Sequence, residues 1–291
     1  WLLGNEGLDR WEYLPRIPLP STEVLPEAGY AIARWPGGGV LFDAGPIAHG
    51  VYSDSTPSTA HGHADALQLL LFQNGREVLT DPGIPFYFGD RKWVDYFRSP
   101  AAHNTVELEG AMVARTSGRL GWSHVQHSIQ LAADFSSQPW HMRGVMQLGP
   151  AISIVRNIMV VPEHGVWVAD FIQTDRPRTA RWYWQLPSYC APTLRHHSQW
   201  MGEYCIGSDV VMILSDDTEI LTTVDIAAPK RPTAWRSPQY GSLLPGVRLS
   251  VAARVEKDLL LLTYIGPGRV SADVRYRNAK LVCPSPNGNG I

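Results

Sequence analysis

Leu67-Gln68-Leu69-Leu70-Leu71-Phe72-Gln73-Asn74-Gly75-Arg76-Glu77-Val78-Leu79-Thr80 is an apolar run, a two-residue break and a second, shorter run. Asn-Gly suits a tight hairpin turn because both of its central positions need positive φ, which these two residues tolerate. The stretch therefore predicts a β-hairpin with strands at Leu67–Phe72 and Glu77–Thr80. Outward from it, strand signals recur about every ten residues. Tyr30–Trp35 and Val40–Phe42 flank Gly37-Gly38-Gly39, and Ile152–Val161 and Val166–Thr174 flank His164-Gly165. Thr179–Leu186, Val210–Leu214, Val247–Val255 and Leu259–Ile265 continue the series. No segment keeps a 3.6-residue apolar period beyond two turns, and no repeat marks a propeller or solenoid. The expected class is all-β, a large antiparallel sandwich of several sheets.

The bulk properties agree. The chain has 291 residues, 44% hydrophobic and 18% charged, with 26 Gly and 23 Pro, a profile of a turn-rich globular protein rather than a disordered one. The net charge of −2 is spread evenly, so no basic block offers itself to nucleic acid or anionic lipid. The apolar runs are too short to span a bilayer. Cys190, Cys205 and Cys283 are odd in number, which excludes a fully paired disulfide framework, and a single Cys190–Cys205 bridge is not favoured. Residues 5 to 29, punctuated by Pro15, Pro18, Pro20 and Pro26, read as loop. The expected division is residues 1–29 as linker and end of a preceding helical domain, then 30–291 as the β domain, with a soft boundary near 140. The opening Trp1-Leu2-Leu3-Gly4 reads as the start of a piece of a longer protein, so the lack of a signal peptide says nothing about compartment.

Chemistry concentrates in Ala60-His61-Gly62-His63-Ala64-Asp65-Ala66-Leu67. If extended, residues 61, 63 and 65 share one face, and two imidazoles with a carboxylate suit a divalent metal or a metal beside a general base. The plain alternative is two surface histidines near a capping Asp. Asp81 follows the hairpin in Thr80-Asp81-Pro82-Gly83, and His103 sits in Tyr96-Phe97-Arg98-Ser99-Pro100-Ala101-Ala102-His103-Asn104-Thr105-Val106.

These three motifs in this order, over residues 61 to 110, resemble the heparinase II/III-like polysaccharide lyase family. Trp1-Leu2-Leu3-Gly4 resembles the close of that family's helical domain. The resemblance implies an α/α toroid followed by this β-sandwich, with an acidic polysaccharide such as a glycosaminoglycan or alginate bound in the cleft between them. It implies metal ligands at His63, Asp81 and His103 with zinc as the ion, and a substrate-facing, catalysis-assisting histidine at His61. It also implies a bacterial, periplasmic or secreted location. The reaction would be β-elimination at a uronic acid, with the remaining catalytic residues on the toroid. Arg98 is a candidate for holding a substrate acid group bidentately, with a structural ion pair as the equal alternative. Tyr96 is a second substrate-side candidate, more readily read as packing. The metal reads as structural rather than as a Lewis acid, shaping the cleft floor.

A strict two-residue turn would pair Asp81 with Gln68, five residues and roughly 17 Å beyond His63 along a flat strand. The three ligands meet only if residues 61 to 65 bend back, which Gly62 permits, or if a bulge intervenes. Eleven Trp residues, among them Trp182 and Trp184 on one strand face, suggest sugar stacking, but core packing is the stronger reading. His196-His197 and His124-x-x-His127 lack the partners of a second metal site. Two rival functions remain. His61-x-His63-x-Asp65 opens the metallo-β-lactamase signature, but Ala66 stands where that signature needs His. A non-catalytic glycan-binding or structural module of the same architecture is the other.

Overall fold

The computed structural model describes residues 18–47, 61–123, 129–216 and 218–268, with short pieces outside them. Trp1-Leu2-Leu3-Gly4, His124, His127 and Cys283 lie outside the described residues. The first sheet runs Thr22–Leu25, Tyr30–Trp35, Gly38–Asp43, Gln68–Gln73, Arg76–Leu79, each strand antiparallel to the next. The second has eight strands, in the order Ile129–Asp134, Trp140–Gly149, Ile152–Val161, Gly165–Gln173, Asp258–Pro267, Asp209–Ser215, Met201–Ile206, Thr193–His197. The third runs Ile220–Ile226, Leu244–Val255, Arg178–Pro187, Val106–Leu108, with Trp235–Arg236 paired to Leu244–Val255. A short helix, Arg91–Phe97, starts at Asp90, whose carboxylate accepts the Lys92 N–H at 3.1 Å.

All-β character and sheet packing follow from alternation. Ala31, Ala33, Val40, Phe42, Leu69 and Leu71 of the first sheet share one buried core with the inner faces of the other two. Ile154, Ile158 and Ile172 come from the large sheet, and Trp182, Trp184, Leu249 and Val251 from the third. Each buried Val, Leu, Ile or Phe among them contributes about 1.5–3 kcal/mol by leaving water. The large sheet thus forms one layer and the two smaller sheets the other. At Gly144 the first sheet presses so close that a Cβ would collide with Leu67 and Phe42.

The two smaller sheets meet at a seam. The Thr80 N–H donates to the Gln185 carbonyl at 3.0 Å. The Asn104 carboxamide fits between the same two strands: its Nδ2 donates to the Thr80 carbonyl at 3.1 Å, and its Oδ1 accepts the Gln185 N–H at 2.6 Å. Beneath the seam Arg156 is fully buried and bonds Asp170 through both ends of its fork, at 2.7 and 2.9 Å. Its remaining Nη1 donates to the carbonyls of Leu67 and Asn104 at 2.6 and 2.8 Å. The Trp182 indole N–H donates to the same Asp170 carboxylate at 3.0 Å, so every strong donor and acceptor of this pair is satisfied.

The sequence reading of residues 5–29 as loop is corrected in part. Thr22–Leu25, lodged between Pro20 and Pro26, pairs along its whole length with Tyr30–Ala33. It is an edge strand, which tolerates nearby prolines because its outer side makes no ladder bonds. Cys190 and Cys205 are both free thiols. Trp182 and Trp184 are fully buried, which upholds the packing reading, and His196 and His197 lie on the exposed edge strand Thr193–His197.

Candidate metal centre

The hairpin forms as the Asn-Gly pair requires, with φ of 53° at Asn74 and 73° at Gly75. Its register then slips. Gln73 pairs Arg76 and Phe72 pairs Glu77, but Leu71 pairs Leu79, so a bulge takes up one residue before Asp81. The bend on the other arm is also real, but it is not a strand and does not hinge on Gly62. Residues 61–67 are irregular, with positive φ at His61 (71°) and Leu67 (65°). Leucine in that region is strained by about 1–2 kcal/mol. Its carbonyl is held by Arg156, and its side chain is fully buried. The expectation that residues 61, 63 and 65 alternate on one strand face is therefore corrected.

Gly62 serves a different purpose. A Cβ there would sit 2.5 Å from the Ile47 carbonyl oxygen. The Gly62 carbonyl accepts the Trp122 indole N–H at 2.8 Å and Arg98 Nε at 3.3 Å. The segment is pinned between neighbours that leave no room for a side chain.

The bend carries His63 to His103, with ring centroids 5.1 Å apart. His63, Asp65 and His103 each offer a ligand atom within 4.8 Å of the others, so they form a group that could hold a metal ion. Asp81 touches the same group through its Oδ1, 3.1 Å from His103 Nδ1, and its Oδ2 accepts the Gly83 N–H at 2.8 Å. Gln68 Oε1 approaches His103 Nδ1 at 3.1 Å as well. On the far side of the ring, His103 Nε2 donates to the Phe97 carbonyl at 3.1 Å. That bond fixes the ring so that Nδ1 faces two acceptors, an arrangement satisfied by a proton or by a cation. Asp65, Asp43 and Gln68 join a centre for which the sequence named His63, Asp81 and His103. Asp65 was visible as a neighbour of His63. Asp43 and Gln68 are not, because they arrive through strand register, Asp43 opposite both Tyr30 and Gln68.

The electrostatics match a site short of positive charge. Burial, then the Asp65 carboxylate, pushes Asp43 up to about 8. Burial also raises Asp65 to about 6, against the pull of His103. Burial and the neighbouring His103 lower His63 to about 3, which leaves a neutral imidazole with a lone pair to give. Burial would raise Asp81, but the hydrogen bond and charge of His103 outweigh it and hold Asp81 at about 2. Burial likewise opposes protonation of His103, yet Asp81 and Asp65 raise its pKa overall. Two imidazoles and clustered carboxylates, with acceptors crowding one another, fit a divalent cation.

The other expected site residues part company. His61 is exposed at the rim, its ring edge-on to Tyr87 at 4.8 Å, and its N–H donates to the Leu120 carbonyl. Arg98 is fully buried and does not face a cleft. Its guanidinium donates to the carbonyls of Gly62, Arg119, Leu120 and Gly121 and lies over the Trp122 ring at 4.4 Å. The substrate-holding reading of Arg98 is corrected on that ground: with its side chain out of reach of solvent and four of its five N–H donors on carbonyls, the residue braces the loop that carries His61. Tyr96 is half-buried, with its hydroxyl between the Ala101 carbonyl and the Ala234 N–H, which is packing.

A three-sheet sandwich with this cluster at the mouth of its first sheet has solved counterparts. Heparan sulfate lyase HepC from Pedobacter heparinus superposes with a TM-score of 0.64 at 14% identity, covering 93% of this chain and 40% of that one. A heparinase III structure superposes with a TM-score of 0.62 at 15% identity, covering 89% of this chain and 38% of that one. At such identities the likeness is one of fold, and this chain spans about two-fifths of the length of these neighbours. No curated protein matches the chain in sequence. The class is thus the β-sandwich part of heparinase-type proteins. The family model described as heparinase II/III-like, C-terminal, matches residues 17–264, and the chain belongs to that family.

Proposed function

We propose that this chain is the β domain of a polysaccharide lyase that cleaves a uronic-acid-containing polymer by β-elimination, supplying a metal centre and one wall of the substrate cleft. The observation that carries the reading is the meeting of His63, Asp65, Asp81 and His103 beside the exposed His61, on a family-typical sandwich. In the proposed whole, residues 1–29 link to a preceding helical α/α-toroid domain, 30–291 form the β domain with a soft division near 140, and the enzyme works in a bacterial periplasm or outside the cell.

His63, Asp81 and His103 would hold one zinc ion, with Asp65 alongside them. Bound there, the ion would tie the bend at 61–67 to the loops at 81 and 103 and stiffen the cleft floor, a structural role. In β-elimination a base takes the C5 proton alpha to the uronate carboxylate. The freed electron pair forms the C4–C5 double bond, the C4–O bond breaks, and an acid protonates the departing oxygen. The carboxylate's growing charge must be met by donors or cations in the transition state. His61, at the rim and free of the cluster, is the residue of this chain placed to assist there. The principal acid, base and carboxylate-holding groups belong to the helical domain.

The test is the rise in ultraviolet absorbance from unsaturated uronates, with the longer protein acting on alginate and heparan sulfate. Absorbance is expected to rise on at least one polymer. A flat trace on all acidic polymers with metal-loaded, folded protein overturns the lyase reading.

A further inference from the structure

We infer that Tyr87, Phe88, Tyr240 and Arg119 form a preorganised shelf on which an anionic polysaccharide stacks one sugar ring beside His61; the inference rests on the polysaccharide reading and extends it to a binding subsite outside the metal centre. Exposed aromatic side chains in water are disfavoured unless something covers them, and here they gather at one place. Phe88 is 73% and Tyr240 62% exposed. The Tyr87 and Tyr240 rings lie 5.8 Å apart with an interplanar angle of 32°, a tilted aromatic pair that brings the two loops together. His61 abuts Tyr87 edge-on, which joins this surface to the rim of the metal centre.

The shelf is built on braced loops rather than on mobile side chains. The loop around 85 and the loop around 240 are zipped together. The Ser237 N–H donates to the Pro82 carbonyl at 2.6 Å, and the Gly241 N–H donates to the Pro85 carbonyl at 2.8 Å. A turn fixes Tyr240 from below, the Ser242 hydroxyl donating to the Gln239 carbonyl at 2.8 Å. Arg119 ties in the third loop, its Nη1 donating to the carbonyls of Tyr87 and Gly89 at 3.4 and 3.1 Å. Its own backbone carbonyl is held by the buried Arg98. Preorganisation of this kind spares a ligand the entropy of ordering its site.

The chemistry selects the occupant. The apolar C–H face of a pyranose ring packs on flat aromatic surface, and the Arg119 guanidinium, 5.9 Å from the Phe88 ring, adds a cation at the shelf edge. Its Nε and Nη2 stay available for a carboxylate or a sulfate, which a planar fork grips in two-point fashion. A neutral glucan would gain the stacking but not the ion pair. Uronate and sulfate share this anionic chemistry, and alginate against heparan sulfate separates them.

The test is affinity electrophoresis of the whole chain in native gels containing alginate, heparan sulfate or neutral dextran. Retardation by an acidic polymer and not by dextran is expected. Tyr240→Ala and Phe88→Ala should each weaken the apparent Kd about tenfold, the size of one aromatic contact. Arg119→Gln should weaken it similarly and flatten its salt dependence. Tyr240→Phe, which keeps the ring, and Trp200→Ala, an exposed indole elsewhere, should migrate as the parent does. Phe88 and Tyr240 are exposed, so the melting temperatures of their variants should not move. Parent-like migration of Tyr240→Ala and Phe88→Ala overturns the shelf, as does an equal loss in Trp200→Ala. Absence of any retardation of the parent overturns it too, while the lyase reading then stands or falls on the absorbance assay alone.

Discussion

His103 is the hinge of the candidate metal centre: one ring nitrogen is spent on the Phe97 carbonyl and the other is turned toward Asp81 and Gln68. Its removal leaves those acceptors facing one another. His63→Ala and His103→Ala are each expected to lose the bound ion, while His61→Ala keeps it, as metal analysis of dialysed proteins would read. Asp65→Asn and Asp81→Asn should each weaken retention by about tenfold or more, since both carboxylates press on the same group. The pH dependence follows from the same residues. Between pH 6.5 and about 8 the raised Asp43 holds a proton in the folded chain that the unfolded chain, with an ordinary value of 3.8, has already released, and the raised His103 acts in the same direction. The unfolded state therefore binds fewer protons in this window, and the stability of the metal-free protein falls as pH rises through it. His63 and Asp81, whose values are depressed, have finished titrating below the window and do not oppose this. A divalent cation replaces those protons, so the gain in melting temperature on adding Zn²⁺ should be larger at pH 8 than at pH 6.5. An equal gain at both values would mean that these groups are not the ones that release protons to the ion.

At the level of elements, the hairpin and the bend make opposite demands on glycine. Gly75 has φ of 73° with open space where a Cβ would go, so Gly75→Ala should cost only the backbone penalty, about 1 kcal/mol. At Gly62 the added methyl would meet the Ile47 carbonyl, and the segment must shift. Gly62→Ala should therefore cost more in urea unfolding and also weaken metal retention, which Gly75→Ala leaves alone. The hairpin was legible because Asn74-Gly75 and its flanking runs carry the turn chemistry in six adjacent residues' worth of local sequence. Long strands such as Ile152–Val161 and Leu244–Val255 announced themselves by a high share of β-branched and apolar residues, which the polar positions Arg156, Asn157, Arg248 and Ser250 interrupt but do not break up. Thr193–His197 did not, being exposed at every position on a sheet edge, and Thr22–Leu25 was masked by the prolines that bound it. The bulge before Asp81 has no residue signature; it is a compromise between sheet register and the placement of the carboxylate.

For the whole molecule, the chain covers about two-fifths of the length of its structural neighbours. Metal binding and polymer retention should be properties of this chain by itself, whereas turnover should require the longer protein. Unsaturated uronate released by the isolated chain would show that the proposed helical domain is not needed for the chemistry. The three motifs that pointed to the centre were readable because each is contiguous in sequence. Asp43, Gln68 and the buried Arg156–Asp170 pair were not, since they act across strands that only folding brings together. Arg98 shows the converse error, a cation in a promising motif that the fold turns inward to hold four carbonyls.

Asn104 acts as a peptide group made of side chain, joining the Thr80 carbonyl to the Gln185 N–H beside the one direct backbone bond between these residues. Such a stitch has a polarity: nitrogen must face Thr80 and oxygen must face Gln185. Hydrolysis of that one amide to an acid would set an oxygen against an oxygen in a place without water, and the two sheets would be driven apart at the residue immediately preceding Asp81. The hold on a metal ion would then loosen although none of its ligands had changed.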